Sequence, residues 1–206
     1  MAQALRSLRP IVPLLTLSKP DFPSKFISRF TKPFSSSSVQ SQESSQQNRK
    51  LFKPANPNYT EFVHLAYERQ SLLQHLGVKL REVSPGYCEF GLPYSDKLMQ
   101  HHGYYHGGAI ASVTDVAGGF AAATLIPINT SPLTVEMKIN FTAAAQGKDG
   151  STLIAKGRVI KNGKTLIVTG VDVYWRSDQM DESVDDDSSL CATAIQTIFV
   201  MPDKIK

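Results

Sequence analysis

The chain has 206 residues, 41% hydrophobic and 19% charged, which suits one globular domain with an appended tail. Its formal net charge is +4 and its pI near 9.0. The basic excess is local: residues 1–48 hold six Lys/Arg against Asp21 and Glu43, leaving 16 basic and 16 acidic residues in the remaining chain. A neutral body argues against a cationic nucleic-acid surface.

In chain order, residues 1–48 come first, with eleven Ser, scattered Arg and Lys, and almost no acid. That composition predicts an organelle transit peptide, mitochondrial before plastid, with SRFTKPFSSSS favouring the mitochondrion. The apolar stretch IVPLLTL at 11–17 is too short and too interrupted by proline for a secretory signal. No run approaches the ~18 apolar residues of a membrane-spanning helix. Residues 49–58, RKLFKPANPN, read as a linker. From Tyr59, the spacing of Phe62, Leu65, Ala66, Leu72, Leu73 and Leu76 predicts a helix that Asn58 could cap and Gly77 ends.

Two strand-like runs follow, GVKLREV (77–83) and YCEFGL (87–92), joined by Ser84-Pro85-Gly86. Val78, Leu80 and Val83 alternate with polar residues, although the last pair slips register. After a turn rich in His and Gly comes GAIASVTDVAGGFAAATL, whose length and alanine content favour helix. The C-terminal half alternates in the strand manner over 134–145, 152–161, 165–175 and 190–200. Asn162-Gly163 is a strong hairpin signal of the kind that needs φ > 0 at both positions. The acidic stretch DQMDESVDDD (178–187) reads as a solvated loop, and Cys88 and Cys191 read as reduced thiols in strands. A helix apolar nearly all round must be wrapped on most sides, so the expected fold class is α+β, a curved antiparallel sheet around a long central helix.

Chemistry concentrates in QHHGYYHGGAIASVTD, residues 100–115. From Leu98 to Val135 the only formally charged residue is Asp115. A carboxylate on an Ala/Gly/Val helix is costly unless it is paired, solvated or used. Metal ligation by His101, His102 and His106 would need converging imidazoles, and the HExxH helical spacing is missing. A phosphate cradle would need GxGxxG or GKS/T in a parallel βαβ context, and neither motif occurs. The third reading is a helix opening at Gly107-Gly108, whose free N–H groups and positive dipole end would polarise a substrate carbonyl as an oxyanion hole does. Glycine permits close approach of that substrate.

The pattern Gln100, Gly103, His106-Gly107-Gly108, then Asp115 resembles the hotdog-fold acyl-CoA thioesterases of the PaaI type. The resemblance spans about residues 60–200 and includes NGKT at 162–165 and the TVEMKINF strand. It implies a hotdog domain over 59–206 that hydrolyses acyl-CoA to a carboxylic acid and CoA, with no metal or redox cofactor. In the roles it implies, Asp115 is general base or nucleophile, and the Gly107 N–H polarises the thioester carbonyl, with Gly108 beside it. Gln100 stands where the family usually has Asn, orienting the nucleophile or binding the carbonyl. Thr134 holds the attacking water and His106 supports the turn or the chemistry. Lys161, Asn162, Gly163, Lys164 and Thr165 would meet the CoA phosphates. It also implies a homodimer or homotetramer whose sites lie across a subunit interface, an arrangement that Gly118-Gly119 and Ala122-Ala123 would suit by allowing close helix packing. A non-catalytic acyl-CoA or acyl-carrier binding protein on the same fold is the alternative, with Gln100 as the mark of lost turnover.

Overall fold

The computed structural model describes residues 52–177 and 187–203. The expected transit peptide, the start of the expected linker and nearly all of the acidic stretch lie outside the described residues.

The helix expected from Tyr59 is two helices, α1 (Tyr59–Glu68) and α2 (Ser71–Leu76). Continuing the stripe of Phe62, Leu65 and Ala66 by one turn would place Arg69 and Gln70 on the apolar face. The backbone instead leaves the helix at Gln70 (φ −86°, ψ 91°) and restarts in a new phase that buries Leu73. Asn58 precedes α1 but makes no side-chain cap, while Gly77 ends α2 at φ 77° as expected. Residues 52–58 lie against the domain rather than apart from it: Phe52 packs on the core, and the Ala55 N–H donates to the Leu125 carbonyl at 3.4 Å.

Six antiparallel strands follow in one sheet: β1 (Lys79–Ser84), β2 (Tyr87–Pro93), β3 (Thr130–Phe141), β4 (Ser151–Asn162), β5 (Leu166–Ser177) and β6 (Leu190–Pro202). Their spatial order is β1-β2-β4-β5-β6-β3. The β1–β2 hairpin turns on Pro85-Gly86, with Gly86 at φ 78°. The slip read in its alternation is a bulge between Leu80 and Glu82. The second hairpin differs from expectation. Neither Asn162 nor Gly163 has positive φ, and the last β4–β5 pair is Asn162 with Ile167, which leaves a four-residue loop. Gly163 is needed for another reason: a Cβ there would stand 2.3 Å from the Leu166 carbonyl oxygen.

The long helix α3 (Gly107–Ala123) packs against the sheet and touches β2 through β6 as well as α1. Ala, Gly and Val along it keep its axis close to the sheet. A Cβ on Gly157 of β4 would come within 2.1 Å of the Ala117 carbonyl oxygen, so that approach depends on glycine. Val113, Ala117 and Ala121 are fully buried, and the Phe90 and Phe120 rings meet at 5.4 Å. Cys88 on β2 and Cys191 on β6 are free and buried, and burial pushes both thiols well above their ordinary range.

Candidate active site

The turn entering α3 is built mainly from backbone hydrogen bonds. Gln100 and Gly103 close a tight bend (Gly103 N–H to Gln100 O, 3.1 Å), and the Gln100 side-chain oxygen accepts from the His102 N–H at 3.2 Å. Tyr105 anchors this bend to the sheet. Its N–H donates to the Ala145 carbonyl at 2.9 Å, and its buried hydroxyl donates to the Ser151 carbonyl at 3.2 Å. Burial is the main cause that raises the Tyr105 phenol, so the group stays neutral and donating.

His106 is the N-cap residue of α3, and its Nδ1 accepts the Gly108 N–H at 2.9 Å. The His106 carbonyl takes the Ala109 and Ile110 N–H groups at 2.9 and 3.1 Å. The Ile110 bond is the first regular helical one; of the four donors that precede it, those of Gly108 and Ala109 are met by His106, and the His106 N–H donates to the Leu98 carbonyl at 2.8 Å. The fourth, the Gly107 N–H, has no acceptor among the described residues. The helix opening therefore offers one free donor, at Gly107, while Gly108's is spent on the cap. His101 and His102 meet in a tilted contact at the exposed edge of the turn, with ring centroids 3.8 Å apart and planes at 44°.

Asp115 lies two turns further along α3, half-buried, on the wall of a pocket of about 630 Å³. The α1 face supplies Phe62, Leu65 and Ala66, with Arg69 and Gln70 where the helix stops. The α3 face supplies Val116, Gly119, Phe120 and Ala123 beside Asp115, and the start of β3 supplies Ser131 to Thr134. Thr134 is thus brought to the same pocket as Asp115, nineteen positions away in the chain. It sits at a bulge, since the β3–β6 register shifts between Thr134 and Glu136, and a bulge re-aims the side chains beside it.

No cation pairs with Asp115 among the described residues. Its hydrogen-bond partner is Gln196 of β6, whose Nε2 stands 3.3 Å from Asp115 Oδ1. Sequence reading passed over this residue, although a signal was there. Alternation in β6 turns Ala194, Ile198 and Val200 inward, which puts Gln196 inward too and leaves Ile195 half-exposed. Gly118 serves this amide rather than a helix contact with another chain, because a Cβ there would fall 1.6 Å from Gln196 Oε1. Ala122 and Ala123 are buried within their own domain. Of that small-residue set only Gly119 has open space before it.

The structure does not bring all the sequence candidates together in one copy. Gly107 and Asp115 are eight residues apart on one helix, about 12 Å at 1.5 Å per residue. Gln100 is folded into its own bend with no hydrogen bond to Asp115. Lys161 and Asn162, at the end of β4, and Lys164 and Thr165, in the β4–β5 loop, are exposed, with Gly163 half-buried.

Residues 102–181 match the family described as the thioesterase superfamily. A candidate esterase of Saccharolobus solfataricus is 30% identical over 133 residues, covering 65% of this chain and 79% of that protein. The crystal structure of a thioesterase family protein from Silicibacter pomeroyi superposes with a TM-score of 0.63 at 30% identity, over 70% of this chain and 98% of that one. The PaaI protein of Escherichia coli, from the phenylacetic acid degradation operon, shares the fold with a TM-score of 0.58 at 19% identity, over 72% and 96% of the two chains.

Proposed function

The chain belongs to the thioesterase superfamily, with a hotdog-fold domain and the standing of a thioester hydrolase, and from that premise we propose that it hydrolyses acyl-CoA at a site shared by two copies. The observation that carries this reading is the convergence of Asp115 and Thr134 in one pocket whose apolar side is formed by Phe62, Leu65, Val116 and Phe120, with a free Gly107 N–H elsewhere on the same helix.

Asp115 supplies the base. It takes a proton from a water held by the Thr134 hydroxyl, and the water oxygen adds to the thioester carbonyl carbon. Negative charge then develops on the carbonyl oxygen, where an N–H donor is worth most. The C–S bond breaks, the acid is released, and the proton on Asp115 passes to the departing thiolate. Direct attack by the Asp115 carboxylate, through an anhydride that water then opens, uses the same residues.

One copy cannot serve both ends of this reaction, because its own Gly107 donor is about two helix turns from its carboxylate. A second copy supplies the donor, and Gln100 on that copy lies in the same turn. The β3 edge offers a surface for such a partner: it is a twelve-residue edge strand with Leu133 and Val135 exposed, and an edge of this length is normally paired or covered. Phe62, Leu65, Val116 and Phe120 would receive an apolar acyl chain, and Lys161 and Lys164, at the β4–β5 turn, would meet CoA phosphates. Residues 1–48 would direct import into the mitochondrion, the plastid being the alternative. Fusing them to a fluorescent protein and observing where it accumulates tests that assignment.

The test of the activity is thiol release from a panel of short-, medium-, long-chain and aromatic acyl-CoAs by the purified full chain. Turnover with at least one class supports the enzyme reading, and the preferred class identifies the acyl group. Tight binding without thiol release would turn the protein into a binding module.

A further inference from the structure

We propose that Gln196 is a positioning residue for Asp115, held in place by Thr169, and that this buried pair sets the carboxylate for the reaction; the inference rests on Asp115 as base. Gln196 and Thr169 are essentially inaccessible to solvent, at 1% and 0% exposure, and an amide is carried into such a core only at a cost unless its groups are bonded. Here all are. The Thr169 hydroxyl donates to Gln196 Oε1 at 3.0 Å. Nε2 faces Asp115 Oδ1 at 3.3 Å, the Thr114 carbonyl oxygen at 3.4 Å and the Met137 sulfur at 3.4 Å.

The three neighbours on the nitrogen side are all acceptors, and the neighbour on the oxygen side is a donor. The reversed amide would set oxygen against carboxylate and carbonyl, so the network admits one orientation. Thr169 on β5, Gln196 on β6 and Gly118 on α3 form a single device. Thr169 and Gln196 are paired across the two strands, and the missing side chain at Gly118 opens the space through which the amide reaches the helix. A donor fixed in the core below Asp115 holds Oδ1, while Oδ2 has no partner among the described residues and stays available to water at the pocket. Core packing alone would have been met by Leu or Met at this inward position, since Ala194, Ile198 and Val200 fill the neighbouring ones.

The experiment compares wild type, Asp115→Ala, Thr169→Ser and the double variant Gln196→Met/Thr169→Val, by steady-state kinetics on the preferred acyl-CoA and by thermal unfolding of the full chain. Replacing both buried partners with apolar groups of similar shape leaves neither position 169 nor position 196 with a half-made bond, and Asp115 Oδ1, which faces a solvent-accessible pocket, is the group that loses its donor, so folding is largely retained. The expected result is a loss in kcat of about tenfold to hundredfold, the range one hydrogen bond to a charged group is worth, with KM changed by less than about twofold because substrate binding is not touched. Thr169→Ser keeps the hydroxyl and should retain wild-type kcat. Wild-type kcat in the folded double variant, with Asp115→Ala inactive, overturns the positioning role and leaves the base intact. Thr169→Ser as impaired as the double variant also overturns it. Full activity in Asp115→Ala overturns the base and the positioning role together, as does a wild type that releases no thiol. Thermal unfolding separates a purely structural part for the amide, which would lower the melting temperature and leave kcat per folded molecule unchanged.

Discussion

The two ends of chemistry on α3 are built in opposite ways. At its N-terminus, the Gly107 donor is backbone, framed by bonds within and around one short turn: the His106 cap, the Gln100–Gly103 bend and the Tyr105 anchor. In its middle, Asp115 is a side chain framed by residues remote in the chain, Gln196 from β6 and Thr134 from β3. A donor must be aimed and free, which local turn geometry provides. A base must be held yet open to water, which needs a core on one side and a pocket on the other.

The largest effect expected is at Asp115. Its replacement by Ala should lower kcat about 10²- to 10⁴-fold, the usual contribution of a general base, while the protein remains folded, because no ion pair is broken; thiol release and circular dichroism check the two parts. Gly107→Pro tests the other end. Proline is accepted at the first position of a helix, and His106 already has the extended backbone that a pre-proline residue requires (φ −65°, ψ 137°). Removing only this N–H should cost about 10²- to 10³-fold in kcat, whereas Gly107→Ala, whose Cβ would meet the Phe141 ring at an ordinary 3.4 Å, should stay within a few-fold. Mixing the Asp115→Ala and Gly107→Pro proteins after co-refolding should restore about one quarter of the wild-type rate if each site takes one residue from each copy of a two-fold dimer. No restoration would place both residues in sites within single chains and remove the comparison's functional meaning.

Smaller effects sharpen the contrast. Thr134→Val should lower kcat about tenfold, as expected for losing one hydrogen bond to the attacking water, with stability nearly unchanged because the position is only half-buried. His106→Ala should cost about 1 kcal/mol of stability, the usual worth of a helix cap, read by chemical denaturation. His106→Asn, which can still cap, should recover most of it. An equal loss in both would show that the imidazole does more than accept the Gly108 N–H.

Legibility in the sequence followed the range of the interactions. The β1–β2 turn and its bulge, the extent of α3, the four later strands and the isolation of Asp115 all show in windows of a few residues to about twenty. The errors lie where a local signal met a tertiary demand. The apolar stripe after Tyr59 ran into Arg69-Gln70 at the pocket's edge and the helix broke there. Asn162-Gly163 promised a two-residue hairpin, but a register shift between Val159 and Lys161 accompanies a wider loop. Gly118 and its small neighbours suggested contact with another chain, when Gly118 makes room for an amide of its own sheet.

Sequence alone therefore determined the element types, the helix opening at Gly107-Gly108 and the one carboxylate worth watching, because periodicity, turn chemistry and the cost of an isolated charge are all local properties. Only the tertiary structure decided that Thr134 shares the pocket of Asp115, that Gly107 does not, and that Gln196 lies against the carboxylate. Those outcomes depend on sheet order and on which strand faces reach α3, and hydrogen bonds spanning 27 and 81 residues, from Thr169 to Gln196 and from Gln196 to Asp115, exist only once the sheet has closed around its helix.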